Sequence, residues 1–267
     1  MTDTPKTNRA TVAERAARAG GDLALESFRA GIAVDRKSSK TDVVTQADRD
    51  SQEEVSAVVA ESHPEEPIVG EEGDELKEVP ESGPAWVIDP IDGTNNYVRG
   101  IRTWVTSVAA TSDGEPITAA NVMPALSDSY VANRERATLN GEPIAVSERT
   151  DPEVATVAVT AWPGTSQPET YTRLTNALVG EFGDLRRFGC AQATLSFVAS
   201  GALGALITNT DPNPWDSLAG VCLIRRAGGR VSDLEGERWE GSGGLVASNG
   251  ESEIHEAVLN VAGVLRD

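Results

Sequence analysis

The sequence predicts a layered α/β (α+β) fold, and three patterns support that prediction. Helical and strand-like segments alternate through the second half of the chain, which is typical of layered architectures. In the first half, two apolar runs flank the turn sequence Ser112-Asp113-Gly114-Glu115, which predicts an antiparallel hairpin. A further apolar run at residues 85–88 indicates a buried strand. The 267 residues can bury a large core, as one domain or as two that pack closely.

The first half is predicted to hold two helices with apolar periodicity, a further helix that begins at Thr94, and four strands. Apolar residues at helical spacing predict a helix at residues 11–30, weakened at Gly20-Gly21, and a second helix at residues 46–61. Strands are expected at residues 68–69, 86–88, 105–111 and 116–122. The stretch 65–82 is acidic and interrupted by glycine and proline, so we expect an exposed, mobile loop around a ligand.

The pattern changes after Asn140-Gly141 and the polar stretch 147–152. We therefore expect two domains, formed by residues 1–146 and residues 147–267. The second half is predicted to hold strands at residues 154–159, 185–188 and 205–208. Helices are expected there at residues 169–178, 192–199 and 215–226, the last one ending at Gly228-Gly229.

Composition excludes several classes of protein. The net charge of −19 argues against nucleic-acid polymers as partners, because a phosphate backbone would be repelled. No apolar window has the length of a membrane span, and residues 1–10 lack the apolar core of a signal peptide. We therefore expect a cytoplasmic protein without a membrane partner. Cys190 and Cys222 lack a zinc-type spacing, so two buried reduced thiols are expected.

The basic residues are also unusual in composition, because lysine is scarce. It occurs only at Lys6, Lys37, Lys40 and Lys77, and every other basic residue is arginine. This composition favours adaptation to high salt, where screening makes dense like charge tolerable. The alternative is an acidic protein of an ordinary salt environment.

The most informative segment is Asp89-Pro90-Ile91-Asp92-Gly93-Thr94, which follows the apolar run at residues 85–88. Two carboxylates held so close repel each other unless a hard cation lies between them. The backbone N–H groups that follow Gly93 at a helix start favour an anion such as phosphate. Asp-Pro and Asp-Gly are also common turn dipeptides, and a plain Asx turn is the alternative. The segment therefore favours a divalent metal and a phosphate at one corner.

Further carboxylates are predicted at similar junctions. Asp48 lies in the first turn of the second helix, Glu71 and Glu72 follow a short strand, and Asp216 begins a helix. Asp48 and Asp216 could each serve only as a helix cap. The chain has only two histidines, so nitrogen ligands are scarce. We therefore expect these carboxylate oxygens to hold Mg²⁺.

At this point the sequence resembles the inositol monophosphatase superfamily of Mg²⁺-dependent, lithium-sensitive phosphatases, over nearly the whole chain. The most specific element is the run from Trp86 through Asp89, Asp92 and Thr94 to Asn96. The other elements come in the family's order: Lys37, residues 42–48, Gly70-Glu71-Glu72, and Trp215-Asp216-Ser217-Leu218-Ala219-Gly220 through Ala227-Gly228-Gly229. The resemblance implies an αβαβα sandwich, a homodimer, and two or three Mg²⁺ per subunit.

The resemblance also implies the ligands. Glu71, Asp89 and the carbonyl of Ile91 would hold a first Mg²⁺, and Asp89, Asp92 and Asp216 a second. Most ligands would thus lie in the N-terminal domain, while Asp216 and the substrate pocket lie in the C-terminal domain.

Catalytic and substrate-binding roles follow from the same resemblance. Thr94, paired with Asp48, would orient and deprotonate a water on the metal that Glu71 binds. The substrate would contact Asp92, Gly93, Thr94, Gly189, Cys190, Ala191, Asn209 and Asp216. Lys37 would support the metal site electrostatically, and its alternative is an ordinary surface lysine.

One departure from the family bears on the substrate. Inositol-specific relatives carry an acidic residue seven positions before the last metal aspartate, and here Asn209 stands there. Arg186 and Arg187 could meet a second phosphate or could be surface residues. We expect hydrolysis of inositol 1-phosphate, with fructose 1,6-bisphosphate second and 3′-phosphoadenosine 5′-phosphate third. The alternative of another class is a catalytically silent, metal-binding interaction protein.

Overall fold

The computed structural model describes residues 8–30, 34–36, 43–160 and 167–265. Within these ranges the α-helices are α1 (Arg9–Ser27), α2 (Gln46–Ser62), α3 (Thr94–Val98), α4 (Pro168–Glu181), α5 (Ala191–Ala199), α6 (Pro214–Arg226) and α7 (Ser252–Ala262). None of these helices is long and apolar enough to cross a lipid bilayer.

In the described part of the chain, the strands form three sheets. A small antiparallel pair joins β1 (Val34–Arg36) to β2 (Val43–Thr45). A seven-stranded sheet follows chain order through β3 (Ile68–Gly70), β4 (Pro84–Asp92), β5 (Val105–Ser112), β6 (Glu115–Met123), β7 (Asp128–Ala132), β8 (Ala137–Leu139) and β9 (Glu142–Ile144). Its strands are antiparallel except for the parallel pair β3 and β4.

The second large sheet has the order β11-β10-β12-β14-β13. Its strands are β10 (Thr156–Val159), β11 (Asp184–Arg186), β12 (Ala205–Thr208), β13 (Arg230–Ser232) and β14 (Leu245–Ser248). Strand β10 pairs in parallel with β11 and β12, whereas β14 runs antiparallel to both of its neighbours. Helices α4 and α5 provide the crossovers that the parallel pairs need, whereas β13 and β14 are joined by residues 233–244 without a helix.

These elements stack into five layers. Helices α1 and α2 cover one face of the seven-stranded sheet, α5 and α6 lie between the two sheets, and α4 and α7 cover the outer face of the second sheet. In β4, Trp86 and Ile88 belong to the outer core cluster, while Val87 belongs to the central one. Burial on both faces explains the continuous apolar sequence of this strand. The five layers confirm the αβαβα sandwich.

Some element bounds differ from the prediction. Helix α1 ends at Ser27 rather than at residue 30, because Phe28 adopts an extended backbone and packs against Tyr97 and Trp104. A 3₁₀ turn at Pro152–Val154 precedes β10, so that strand begins later than expected. Among the described elements, sequence reasoning missed β1, β2, β7, β8, β9, β13, β14 and α7.

The predicted boundary between residues 146 and 147 stays a prediction. The central hydrophobic cluster draws residues from both halves, among them Val87 and Met123 from the first and Leu206 and Leu223 from the second. This shared core brings the end of β4 against the beginnings of α5 and α6. Carboxylates from both halves meet there.

Candidate active site

A bulge at the end of β4 places two aspartates on one side of the strand. Asp89 pairs with Ser107 of β5, and Asp92 pairs with Val105. Three steps along β4 thus correspond to two steps along β5, so β4 carries one extra residue. In a regular strand, residues three apart point to opposite faces, and the extra residue reverses this. Asp89 and Asp92 can therefore face a common point.

The bulge is fixed by hydrogen bonds to its backbone. The carbonyl of Pro90 accepts from the hydroxyl of Thr106 at 2.8 Å and from that of Ser51 at 3.3 Å. The backbone N–H of Ile91 donates to Oδ1 of Asp89 at 3.1 Å. These bonds replace the ladder bonds that a bulge interrupts, so the two aspartates are held by buried structure.

Asp89, Asp92 and Asp216 form a three-carboxylate cluster. Each offers an oxygen atom, and these atoms all lie within 4.8 Å of one another. Burial, together with the nearby charges of Glu71 and of the other two aspartates, raises the pKa of Asp89 well above its ordinary value. Burial and the charges of Asp92 and Glu71 raise the pKa of Asp216 to about 7. The ionised form of the cluster is therefore unfavourable by itself, and a bound cation would stabilise it.

Asp92 is also held by the beginning of α5. Its Oδ2 accepts from the backbone N–H of Gln192 at 2.5 Å and from the thiol of Cys190 at 2.9 Å. Burial raises the pKa of Asp92, while the donors of Cys190, Gln192 and Ala191 act in the opposite direction. Burial and the Asp92 charge raise the pKa of the Cys190 thiol well above its ordinary value, so Cys190 serves Asp92 as a neutral S–H donor.

Asp216 lies in the first turn of α6 and is held there by Asn213. The Nδ2 atom of Asn213 donates to Oδ2 of Asp216 at 2.9 Å, and the Asp216 N–H donates to the Asn213 carbonyl at 3.1 Å. The side chain of Gln192 accepts from the Gly220 N–H at 2.8 Å and donates to the Trp215 carbonyl at 2.6 Å. Gln192 thus links Asp92, which its backbone N–H binds, to the helix that carries Asp216.

Thr94 and Asp48 are brought together from two distant parts of the chain. The Thr94 hydroxyl lies 3.3 Å from Oδ1 of Asp48 and 3.0 Å from the carbonyl oxygen of Ile91. Asp48 is only 1% exposed, in the first turn of α2. The Thr94 hydroxyl therefore lies between the Asp48 carboxylate and the Ile91 carbonyl, which the resemblance implies as a metal ligand.

Gly93 makes the corner between β4 and α3 possible. It has φ +85°, and a Cβ there would approach the Cβ of Cys190 to 3.0 Å and the Gly189 carbonyl to 3.3 Å. Asn96 fastens the same contact, because its Nδ2 donates to the Phe188 carbonyl at 2.7 Å. The stretch Gly189 to Ala191 consequently lies against the Gly93 corner, as expected of a pocket lining.

Glu71 follows β3 on a loop beside the cluster. It lies outside the group of three carboxylates, but its charge contributes to the raised pKa of Asp89 and of Asp216. The neighbouring Glu72 is tied to α2, since its carbonyl accepts from Gln52 at 2.5 Å and its N–H donates to Gln52 at 2.9 Å. Glu71 is thus near enough to act electrostatically on the cluster.

Other expected site residues have different positions. Lys37 lies outside the described residues. Asn209 follows β12, and its Oδ1 is buried and accepts no hydrogen bond from the residues that the structure describes. Arg186 and Arg187 are exposed; Arg186 is paired with Asp184, and Arg187 stacks on Tyr171 with its guanidinium carbon 5.4 Å from the ring centroid. Substrate contact stays one of the two alternatives that the sequence leaves for these arginines.

Sequence reasoning missed three supports of the site. Asn213 could have been found, because Asn before Pro214 at a helix start is a capping signal. Gln192 and Lys77 carry no local signal, since their partners are distant in sequence or are backbone carbonyls.

The donor set fits Mg²⁺. Three carboxylates converge with oxygen atoms only, and Mg²⁺ binds oxygen in preference to nitrogen and sulfur. The same convergence raises the pKa values of the carboxylates, so a bound divalent cation would offset the repulsion among them.

Comparison with known proteins gives a uniform result. A model of the inositol monophosphatase family matches residues 6–263. The Nus factor SuhB of Pseudomonas aeruginosa is 34% identical over 247 residues, covering 89% of this chain and 90% of that protein. The fructose-1,6-bisphosphatase/inositol-1-monophosphatase of Aquifex aeolicus is 32% identical over 262 residues, covering 94% of each chain. The solved structure of an IMPase from Thermotoga maritima superimposes with a TM-score of 0.87 at 28% identity, covering 97% of this chain and 98% of that one.

Proposed function

Because the chain belongs to the inositol monophosphatase family, we propose that it is a Mg²⁺-dependent phosphomonoesterase that hydrolyses an inositol monophosphate. The observation that carries this proposal is the convergence of Asp89, Asp92 and Asp216 within 4.8 Å at the Gly93 corner. The family is Mg²⁺-dependent, and the cluster offers the oxygen ligands that this metal needs.

We assign the metal ligands that the family resemblance implies. Asp89, Asp92 and Asp216 would hold Mg²⁺ together with Glu71 and the Ile91 carbonyl, with two or three ions per subunit. When bound, Mg²⁺ neutralises charge on phosphate oxygens and makes a nearby water more acidic. A phosphate monoester is a dianion that repels nucleophiles, so this positive charge addresses the main barrier to its hydrolysis.

The pair of Thr94 and Asp48 supplies the proton path. Asp48 accepts a hydrogen bond from the Thr94 hydroxyl, so the hydroxyl can pass its proton to Asp48 while it takes one from an attacking water. The Ile91 carbonyl, 3.0 Å from the hydroxyl oxygen, shares the same proton, so the two acceptors together orient the hydroxyl. A serine or cysteine nucleophile is not needed in this mechanism.

The substrate would be bound by the corner and by the stretch that lies against it. Gly93 and Thr94 would hold the phosphate through their backbone N–H groups, as would Asp92 and Asp216 through the metal. The stretch from Gly189 to Ala191 lines the same corner. The Oδ1 atom of Asn209 has no partner among the described residues, which suits an acceptor for a substrate hydroxyl.

Two other substrates stay within the proposal. A bisphosphatase activity is supported by the name of the Aquifex relative, which joins fructose 1,6-bisphosphate to inositol 1-phosphate. A small nucleotide, 3′-phosphoadenosine 5′-phosphate, is the third choice. We further propose a cytoplasmic homodimer, adapted to high salt and inhibited by lithium.

The rival function is a metal-binding protein without catalysis. Several relatives carry the name Nus factor SuhB, which does not name a phosphatase reaction. The pairing of Thr94 with Asp48 beside the carboxylate cluster favours the enzyme, because binding alone does not need a group that moves a proton.

A phosphate-release screen tests the proposal. Inositol 1-phosphate, fructose 1,6-bisphosphate, 3′-phosphoadenosine 5′-phosphate and a simple aryl phosphate are each supplied at high salt, with Mg²⁺ or with EDTA. We expect release that requires Mg²⁺ and is fastest with inositol 1-phosphate. Release from none of the four esters in the presence of Mg²⁺ would support the rival function.

A further inference from the structure

Lys77 lies at the end of the loop that carries Glu71, and its ammonium group faces four successive backbone carbonyls. The Nζ atom is 2.7 Å from the Gly70 oxygen, 3.1 Å from that of Glu71, 3.4 Å from that of Glu72 and 3.2 Å from that of Gly73. An ammonium group has three donors, so these four carbonyls share them. The loop is thus wrapped around one positive charge.

The same loop is closed by its own backbone. The Gly70 N–H donates to the Leu76 carbonyl at 3.1 Å, and the Leu76 N–H donates to the Ile68 carbonyl at 3.2 Å. The Glu71 N–H donates to the Ile88 carbonyl of β4 at 3.3 Å. These bonds hold the two ends of the loop, whereas Lys77 is placed to hold the middle, where its carbonyls converge.

Lys77 also reaches the element that carries Asp216. Its Nζ lies 5.7 Å from the ring centroid of Trp215, which is within the range of a cation–π contact. Trp215 directly precedes Asp216 at the beginning of α6. One lysine therefore contacts both the Glu71 loop and the residue next to a cluster aspartate, from two halves of the chain.

We propose that Lys77 is a positioning residue that fixes the Glu71 loop against the beginning of α6, so that Glu71 and Asp216 are presented to the same metal site. This inference rests on the proposed function for the identity of the metal. Lys77 touches no carboxylate of the cluster; it acts on the backbone that orients Glu71 and on the ring next to Asp216. Its role is to preorganise the ligand set before the metal arrives.

The shape of the cation matters for this role. Four converging carbonyls suit a compact point charge with rotatable donors, and a planar guanidinium cannot face all four at once. A neutral side chain would leave the carbonyl dipoles pointing at one another, so the middle of the loop would open. Arginine should therefore restore part of the effect, and methionine none of it.

The experiment compares Mg²⁺ binding by calorimetry in the native protein, Lys77→Met and Lys77→Arg. Loss of a residue that supports metal ligands typically weakens metal binding by about 10- to 100-fold. We expect about tenfold weaker binding in Lys77→Met and a smaller loss in Lys77→Arg, with the Mg²⁺ concentration for half-maximal activity shifted more than kcat. Arg15→Met removes the same charge from the exposed Arg15–Glu61 pair and should leave Mg²⁺ binding unchanged.

Hydrogen exchange in the metal-free proteins gives a readout that needs neither metal nor turnover. The amides of residues 70–76 should exchange faster in Lys77→Met than in the native protein and Arg15→Met. Combining Lys77→Met with Trp215→Leu tests the second contact, and we expect the two losses of Mg²⁺ affinity to be less than additive. Full additivity would contradict the link to α6.

The inference is overturned if Lys77→Met binds Mg²⁺ within twofold of the native protein and its loop exchanges at the native rate. Failure of the proposed function has a different outcome. In that case the native protein releases no phosphate, while Mg²⁺ affinity and loop exchange still respond to Lys77 as described.

Discussion

The hydroxyl of Thr94 donates a hydrogen bond to Oδ1 of Asp48 across 3.3 Å, although the two residues are 46 positions apart in the chain. If this pair moves a proton during hydrolysis, Thr94→Val should lower kcat by about 10²- to 10⁴-fold, the usual range for a positioned acid–base group. Steady-state phosphate release at saturating Mg²⁺ measures this loss.

Thr94→Ser is the matched control, because it keeps the hydroxyl and removes only a methyl group. It should retain most of the activity. If Thr94→Val and Thr94→Ser were equally active, the hydroxyl would have no part in catalysis. Asp48→Asn combined with Thr94→Val should be little worse than either change alone, since the two residues act as a unit.

The stabilising effect of Mg²⁺ should increase with pH. Burial raises the pKa of Asp89, Asp92 and Asp216, and repulsion by neighbouring carboxylates adds to this at Asp89 and at Asp216, whose pKa is raised to about 7. Between about pH 4 and pH 7 the folded, metal-free protein therefore binds more protons at these sites than the unfolded chain. Their contribution to the free energy of unfolding falls as pH rises, by about 1.4 kcal/mol for each unit of raised pKa. A bound cation removes this loss.

Urea unfolding near pH 5 and near pH 8, each with EDTA and with Mg²⁺, measures the effect. Burial lowers the pKa of His255 to about 4, so its contribution to the free energy of unfolding rises with pH. Because His255 lies outside the cluster, this contribution is the same with EDTA and with Mg²⁺ and cancels from their difference. Asp216→Asn should reduce the difference. A Mg²⁺ effect that is as large at the lower pH as at the higher would contradict the prediction.

Asn209→Asp should shift the preference towards inositol phosphates. A charged acceptor contributes about 1.5–3 kcal/mol to a hydrogen bond, so we expect a gain of about tenfold in the ratio of kcat/KM for inositol 1-phosphate over an aryl phosphate. Asn260→Asp makes the same change at an exposed position of α7 and serves as the control. An unchanged ratio in Asn209→Asp would show that Asn209 does not face the substrate.

Low ionic strength should destabilise the protein. The chain has 42 acidic and 23 basic residues, and the resulting repulsion is screened over about 3 Å at 1 M salt but about 10 Å at 0.1 M. We expect a clear fall in the Tm when KCl is reduced from about 1 M to about 0.1 M. An equal Tm at both concentrations would remove the case for adaptation to high salt.

The parts of the site that the sequence predicts are those with local signals. The strand before Asp89, the corner at Gly93 and the helix that begins near Asp216 are each specified by neighbouring residues. The αβαβα sandwich was predicted through the family resemblance and is confirmed by the layers. The apolar run before Asp89 was correctly predicted as a strand, but the strand continues through Asp92, because the bulge keeps the corner within the sheet.

Supports that act over a distance could not be predicted. The bulge depends on the register between β4 and β5, which a single strand does not encode. Gln192 joins the beginnings of α5 and α6 through partners more than twenty positions away, and Lys77 binds backbone carbonyls that any residue could supply. The short strands β7 to β9 lie in a polar segment, where hydrophobic periodicity is weak.

The substitution Asp92→Asn tests the central claim most directly, because it removes one negative charge from the three-carboxylate cluster with almost no change in volume. Asp22→Asn, at an exposed position of α1, is the matched control. We predict that Mg²⁺-dependent release of phosphate from inositol 1-phosphate falls by about 10³-fold or more in Asp92→Asn, with an unchanged circular dichroism spectrum, and stays at the native level in Asp22→Asn. Native activity in Asp92→Asn would contradict the assignment of this carboxylate, and with it the account of the site.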